Sequence, residues 1–186
     1  MRIAFAALAS LAACAGAPPP ALSPGSVALP LANPGFEQAG PGGECPPGWL
    51  CATHAGARSH AYRLDPQAAG GRFAFCTDGL DDRNWAQVFQ NVPAERLRGA
   101  RVRLSVAVRI AKDRGEGAGP ILVVQGGDGA TVATDQKLLP DTGGWRRLAT
   151  EVVVPPNAFQ LQAGVLFESR GTACVDDALL EILPPA

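Results

Sequence analysis

The stretch RVRLSVAVRIA, residues 101–111, alternates without a break. Val102, Leu104, Val106, Val108 and Ile110 fall on one side; Arg101, Arg103, Ser105, Ala107 and Arg109 fall on the other. A period of two is that of a strand, whose successive side chains point to opposite faces. One apolar and one polar face suit an antiparallel sheet packed on a core on one side only. FQLQAGVLF at 159–167 repeats the pattern through Phe159, Leu161, Ala163, Val165 and Phe167. RLATEVVV at 147–154 is a further strand, stopped by Pro155 and Pro156, which cannot donate to a ladder. PILVVQ and ATVAT flank GGDG and read as a hairpin, and AYRLD, RFAFC and WAQVFQNV supply strands in the first half. Beyond the N-terminus no segment sustains a capped helical period, apart from a short turn expected around Pro93 to Leu97. Many short strands between Gly/Pro turns predict an all-β sandwich or barrel.

The N-terminus, MRIAFAALASLAACAGAPPP, has a different character. Arg2 is followed by a short apolar run, too short to span a bilayer, that ends in Leu11-Ala12-Ala13-Cys14. This resembles a bacterial lipobox. Residues 1–13 are then a lipoprotein signal peptide, and 14–28 a lipidated Cys14 with a Pro-rich tether. Residues 29–186 are one domain. An ordinary signal peptide is the alternative, and both readings export the chain. The expectation is an exported, membrane-anchored lipoprotein, periplasmic or at the outer membrane, meeting the membrane only through its lipid. A monomer is expected.

Charge excludes one class of partner. The formal net charge is −1, and the 16 basic residues alternate with apolar positions and do not cluster. A nucleic-acid footprint would need a clustered basic face. The chain has five cysteines. Lipidation of Cys14 accounts for the odd one in an exported protein. Cys45 and Cys51 flank PPGWL, a tight loop that favours a local bridge, which leaves Cys76 for Cys174. Free buried thiols are the alternative.

Near the C-terminus, TACVDDALLEIL carries two adjacent carboxylates in an otherwise apolar strand. Period two puts Asp176 on the face of Ala178, Leu180 and Ile182, which looks like core. A carboxylate sent inward needs a cation or several hydrogen-bond donors.

The ordered set LANPGFEQ, PPGW, GGRFAF, WAQVFQNV, GGWRRLATEVVVPPNA and ACVDDALLE resembles the galactose-binding-like jelly roll of many carbohydrate-binding modules. It is especially similar to β-sandwich domains fused to bacterial peptidases and regulators, in which sugar binding is not established. The resemblance implies two antiparallel sheets. It also implies a structural Ca²⁺ that pins the first strand to the last through Glu37 and Asp176, since hard oxygen donors suit that ion. Trp145 corresponds to the family's buried tryptophan. A polysaccharide partner follows from the resemblance. The rival expectation is a structural or protein-interaction module of the envelope without a sugar site.

Sugar surfaces use aromatic platforms with amides and charged groups reading hydroxyls. Trp85, after the polar loop TDGLDDRN, and Tyr62 are the candidate platforms; Arg109 and Gln125 are candidate hydroxyl readers, with Gln160 and Gln162 beside them. Trp49 reads as a structural plug and His54 and His60 as surface residues. No nucleophile elbow, zinc-protease motif or phosphate loop occurs, so a non-catalytic protein is expected.

Overall fold

A computed structural model describes residues 20–43, 45–54, 59–80, 85–111, 115–168 and 170–185. The segment 1–13 expected to be a signal peptide, Cys14 and the expected tether up to residue 19 lie outside the described residues, as do residues 81–84 of the acidic loop. The strands are β1 (Val27–Leu29), β2 (Leu50–Thr53), β3 (His60–Asp65), β4 (Ala74–Gly79), β5 (Ala86–Pro93), β6 (Arg101–Ala111), β7 (Gly117–Gly126), β8 (Thr131–Gln136), β9 (Arg146–Val153), β10 (Ala158–Glu168) and β11 (Thr172–Ile182). Short 3₁₀ turns cover Pro41–Gly43 and Glu95–Leu97, the second where a turn of helix was expected.

All pairings are antiparallel. One sheet runs β3-β4-β11-β6-β9, with β1 added to β11; the other runs β2-β5-β10-β7-β8. Alternation dictates what lies between them. Val102, Leu104, Val106 and Val108 of β6 meet Leu161, Ala163, Val165 and Phe167 of β10, all buried in one core. Full burial of an aliphatic or aromatic side chain is worth about 1.5–3 kcal/mol. Trp49 plugs one end, stacked on Phe36 with centroids 4.8 Å apart. The expected jelly-roll sandwich of two antiparallel sheets is the observed fold.

Both expected disulfides are present, Cys45–Cys51 and Cys76–Cys174. The second joins directly opposed residues of β4 and β11. The ordered fold reaches back ahead of residue 29. β1 pairs Val27 with Ile182, and the buried Glu181 carboxylate accepts the Ser23 amide at 3.0 Å and Arg103 Nε at 2.8 Å. Glu181 thereby fastens the segment around Ser23 and Ser26 to the last strand.

Asp176 corrects the period-two expectation. The β11 ladder shifts between Asp176 and Leu179, and Asp177 has φ 48°. A β-bulge of this kind inserts a residue and reverses the parity after it. Ala173 and Val175 face the core before the bulge, Ala178 and Leu180 after it. Asp176 therefore shares the outer face with Cys174 and not the inner face with Ala178. It is fully buried all the same, because the segment 66–73 folds over it.

The two sheets divide the polar residues between them. Every strand arginine lies in the six-stranded sheet: Arg63, Arg101, Arg103, Arg109, Arg146 and Arg147. That sheet has no Asn or Gln in its strands. The five-stranded sheet has no Arg or Lys in any strand. It holds every strand amide: Gln87, Gln90 and Asn91 of β5, Gln125 of β7, Gln136 of β8, and Gln160 and Gln162 of β10.

Candidate functional site

The outer face of the five-stranded sheet follows from its core positions. Ala86 and Val88 of β5 are core, so Gln87, Phe89 and Asn91 turn outward. Trp85, just before the strand, has the same parity; it is half-buried, and its ring stacks on His54 at 5.6 Å. On β10 the outward residues are Gln160, Gln162, Gly164 and Leu166, and on β7 they are Ile121, Val123 and Gln125. Register sets them in rows. Gln162 lies between Asn91 and Val123, and Gly164 between Phe89 and Ile121. A Cβ at Gly164 would stand 2.6 Å from Phe89 Cβ, so the glycine lets Phe89 close onto β10.

Three of these amides form a chain across the sheet. Gln160 Nε2 donates to Asn91 Oδ1 at 2.9 Å and to Gln125 Oε1 at 3.3 Å. Such cross-strand bonds hold side chains in fixed rotamers while leaving further donor and acceptor sites on each amide. Gln87, between Trp85 and Phe89, is only 8% exposed, and its Nε2 has no hydrogen-bond partner. At the Trp85 end, Glu168 closes β10. Burial first, then the charge and hydrogen bond of Glu116, raise its pKa above the ordinary carboxylate value. At the other end a cleft of about 220 Å³ is lined by Asn91, Pro93, Glu95, Phe159 and Gln160. Phe159 is 55% exposed there. Alternation had placed Phe159 in the core, but the ladder slips between Ala158 and Gln160, and Ala158 takes the inward position. Phe159, Phe89, Gln87 and Glu168 were not singled out from sequence; the bulge hid the first, and pairing partners were needed to see the others.

The outer face of the six-stranded sheet is built differently. Arg63, Cys76, Cys174 and Arg109 stand in one row across four strands. Asp65 lies 3.4 Å from Arg109 and 3.8 Å from Arg63. The Arg109 guanidinium covers the Trp145 ring at 5.1 Å, and the indole Nε1 donates to the Gln67 carbonyl at 3.2 Å. Trp145 is thus half-buried under an arginine on an outer face, not buried in the core as the resemblance implied. Its ring is already occupied.

The four candidate ligand residues therefore separate. Trp85 and Gln125 share the amide face. Arg109 belongs to the opposite sheet. Tyr62 is turned into the sandwich, packed on Phe75 with centroids 5.5 Å apart and its hydroxyl buried without a partner. Burial raises its pKa. Tyr62 offers no platform to a ligand. His60 is likewise buried, not a surface residue, and burial lowers its pKa.

Glu37 and Asp176 do grip one segment. Asp176 Oδ2 accepts the Ala69 and Gly70 amides at 2.8 and 3.0 Å, and Oδ1 accepts the Asp177 amide at 2.7 Å. Glu37 Oε1 accepts the Arg72 amide at 2.8 Å. Three N–H donors allow Asp176 to be buried without a metal. Desolvation still dominates, and its pKa is pushed up to about 6, with the Asp177 charge adding to the rise and the amides opposing it. Among the described residues no N–H donates to Glu37 Oε2 or to the second lone pair of Asp176 Oδ1, so the donor set is compatible with a hard cation. Among the described residues, the group of three metal-type ligand atoms that lie together is Asp65, Cys76 and Cys174, whose sulfurs are bonded to each other.

No family model matches the chain, and no curated protein matches it. Solved structures do. The enzymatically active domain of tailspike protein 4 from bacteriophage CBA120 aligns with 82% of this chain at 13% identity and a TM-score of 0.62. The alignment spans only 21% of that chain. The carbohydrate-binding module TmCBM61, solved with β-1,4-galactotriose, aligns with 81% of this chain and 95% of its own at 19% identity and a TM-score of 0.52. A structure from work on promiscuous carbohydrate-binding modules of the β-sandwich superfamily aligns with 81% of this chain and 60% of its own, at 13% identity and a TM-score of 0.54. The fold is thus the β-sandwich that carbohydrate-binding modules share.

Proposed function

We propose that this chain is a non-catalytic glycan-binding module whose ligand lies on the outer face of the five-stranded sheet. The observation that carries the reading is the single row of outward positions on β5, Trp85, Gln87, Phe89 and Asn91, joined to the Asn91–Gln160–Gln125 amide chain. Aromatic faces stack on pyranose rings, and amides both donate to and accept from hydroxyls. The likeness to TmCBM61, whose structure holds a galactotriose, supports the same reading. Hydrolysis of a glycoside needs two carboxyl groups roughly 5–9.5 Å apart. Glu116 and Glu168 interact as a pair, closer than that spacing.

The module is exported and tethered through a lipidated Cys14, so its glycan is one met in the cell envelope or at the cell surface. Glu37 and Asp176 would hold Ca²⁺ by their free oxygens and tie the chain's first segment to β11; the ion's role would be structural. The test is a pull-down of the oxidised protein on insoluble polysaccharides and peptidoglycan, with Ca²⁺ or EDTA, beside Trp85→Ala. Retention on a polymer, lost in Trp85→Ala, is the expected outcome. Retention on none would leave a protein-interaction module instead. A melting temperature unmoved by either Ca²⁺ or EDTA would remove the ion.

A further inference from the structure

The division of polar residues between the sheets says what kind of glycan the amide face takes. The inference rests on the glycan-binding reading and sharpens it. We propose that the ligand is an uncharged polysaccharide, bound along β5, and that the face discriminates against uronate-bearing and other anionic polymers.

An anionic glycan brings a carboxylate, sulfate or phosphate that loses water when it docks. Such a group needs a cation or a cluster of N–H donors in the contact surface. No strand of this sheet supplies an Arg or Lys. The ionisable group that a strand does bring to the outward face is Glu168, paired with Glu116 at the Trp85 end. On the strands themselves an approaching anion would meet carboxylates there and neutral amides elsewhere. The opposite sheet shows that this is not a shortage of arginine in the chain. Its arginines sit on the other side of the molecule, engaged with Asp65, Glu151 and Glu181.

Uncharged sugars present hydroxyls, which are donors and acceptors at once. Amides match them in both roles, whereas a guanidinium only donates and an ionised carboxylate only accepts. The free valences of Gln125, Gln160 and Gln162 fit that chemistry. Extent favours a polymer. Trp85 to Asn91 spans six residue steps of a strand, about 20 Å at ~3.4 Å per residue, and the Phe159 cleft continues the face beyond Asn91. One sugar ring covers only part of that length.

Native affinity electrophoresis tests the idea. The oxidised protein is run through gels containing arabinoxylan, β-1,4-galactan or mixed-linkage β-glucan, and through gels containing polygalacturonate or alginate. The expected result is retardation by at least one neutral polymer, at least about tenfold stronger than by either acidic one. It should be unchanged between about 0.05 and 0.5 M salt, because no ion pair is screened. Trp85→Ala, checked to melt like the wild type, should weaken it about tenfold or more. Retardation by an acidic polymer that Trp85→Ala weakens would overturn the inference and leave glycan binding standing. Retardation by no polymer would overturn glycan binding, and this inference with it.

Discussion

The two sheets of this sandwich are made of different polar material, and under the proposed function the difference separates stability from recognition. The six-stranded sheet covers its outer face with arginines and carboxylates that satisfy one another. It carries the Cys76–Cys174 bridge, and β1 is added to it. Its aromatic, Trp145, lies under Arg109. The five-stranded sheet carries no bridge between its own strands. Its outward side chains are amides and half-exposed aromatics. Charged networks fix geometry by pairing internally; amides and an aromatic surface leave valences for something else. One sheet is closed chemically, and the other is open.

The largest expected effect falls on the closed sheet. The Cys76–Cys174 bridge spans 98 residues, and in the chain-entropy model removing such a link costs about 4.7 kcal/mol. The double variant Cys76→Ser/Cys174→Ser should therefore melt far below wild type, while glycan retention measured well below that temperature stays intact. Loss of retention in a still-folded variant would show that the two sheets are not separable.

The next effect concerns Asp176 and Glu181, which share β11 and titrate in opposite senses. The folded Asp176 value of about 6 lies above its ordinary 3.8. The folded state then holds the proton more tightly than the unfolded one, so this group makes the fold more stable as pH falls from about 6 toward 4. The full amount is about 3 kcal/mol. For Glu181, burial opposes ionisation, but Ser26, Ser23 and Arg103 outweigh it and lower the pKa. Its contribution is present above pH 4.5 and is lost as pH falls through the folded value. Denaturant unfolding in EDTA between pH 4 and 7 should show a stability slope from Asp176 that Asp176→Asn removes. An identical slope in the variant would contradict the burial seen here.

Smaller effects belong to the open sheet. Trp85→Ala should weaken retention by about tenfold or more, roughly 1.4 kcal/mol, with little change in melting. Trp145→Ala should do the reverse, lowering the melting temperature and leaving retention alone. Equal losses in both would erase the distinction between the sheets. Smallest of all, Gln162→Ala should cost about 1 kcal/mol of binding, the scale of one net hydrogen bond, read as a several-fold change in a titration with soluble oligosaccharide.

Much of this architecture was legible from alternation. β6, β9 and β11 stand close to where the sequence placed them, and the cysteine spacing led to both bridges. Trp85 and Gln125 could be chosen because they lie beside clear strands. Two bulges account for the main misplacements. Alternation assumes an unbroken ladder, so the extra residues near Asp176 and before Gln160 sent Asp176 inward and Phe159 into the core on paper. Tyr62 failed for another reason. AYRLD is too short to reveal which phase faces the sandwich, and only its pairing with Thr77 next to Phe75 decides it. The sorting of amides from arginines was present in the sequence, but it became visible only once the strands were assigned to their sheets.

The most direct measurement is an amide NMR titration of the oxidised, isotopically labelled protein with an oligosaccharide of whichever polymer it retains. Binding on the open sheet predicts shifts confined to β5, β10 and β7, with the Trp85 indole and the Gln125, Gln160 and Gln162 side-chain amides moving most. Shifts centred instead on Arg63, Arg109 and Trp145 around the Cys76–Cys174 bridge would place the ligand on the charged sheet and contradict it.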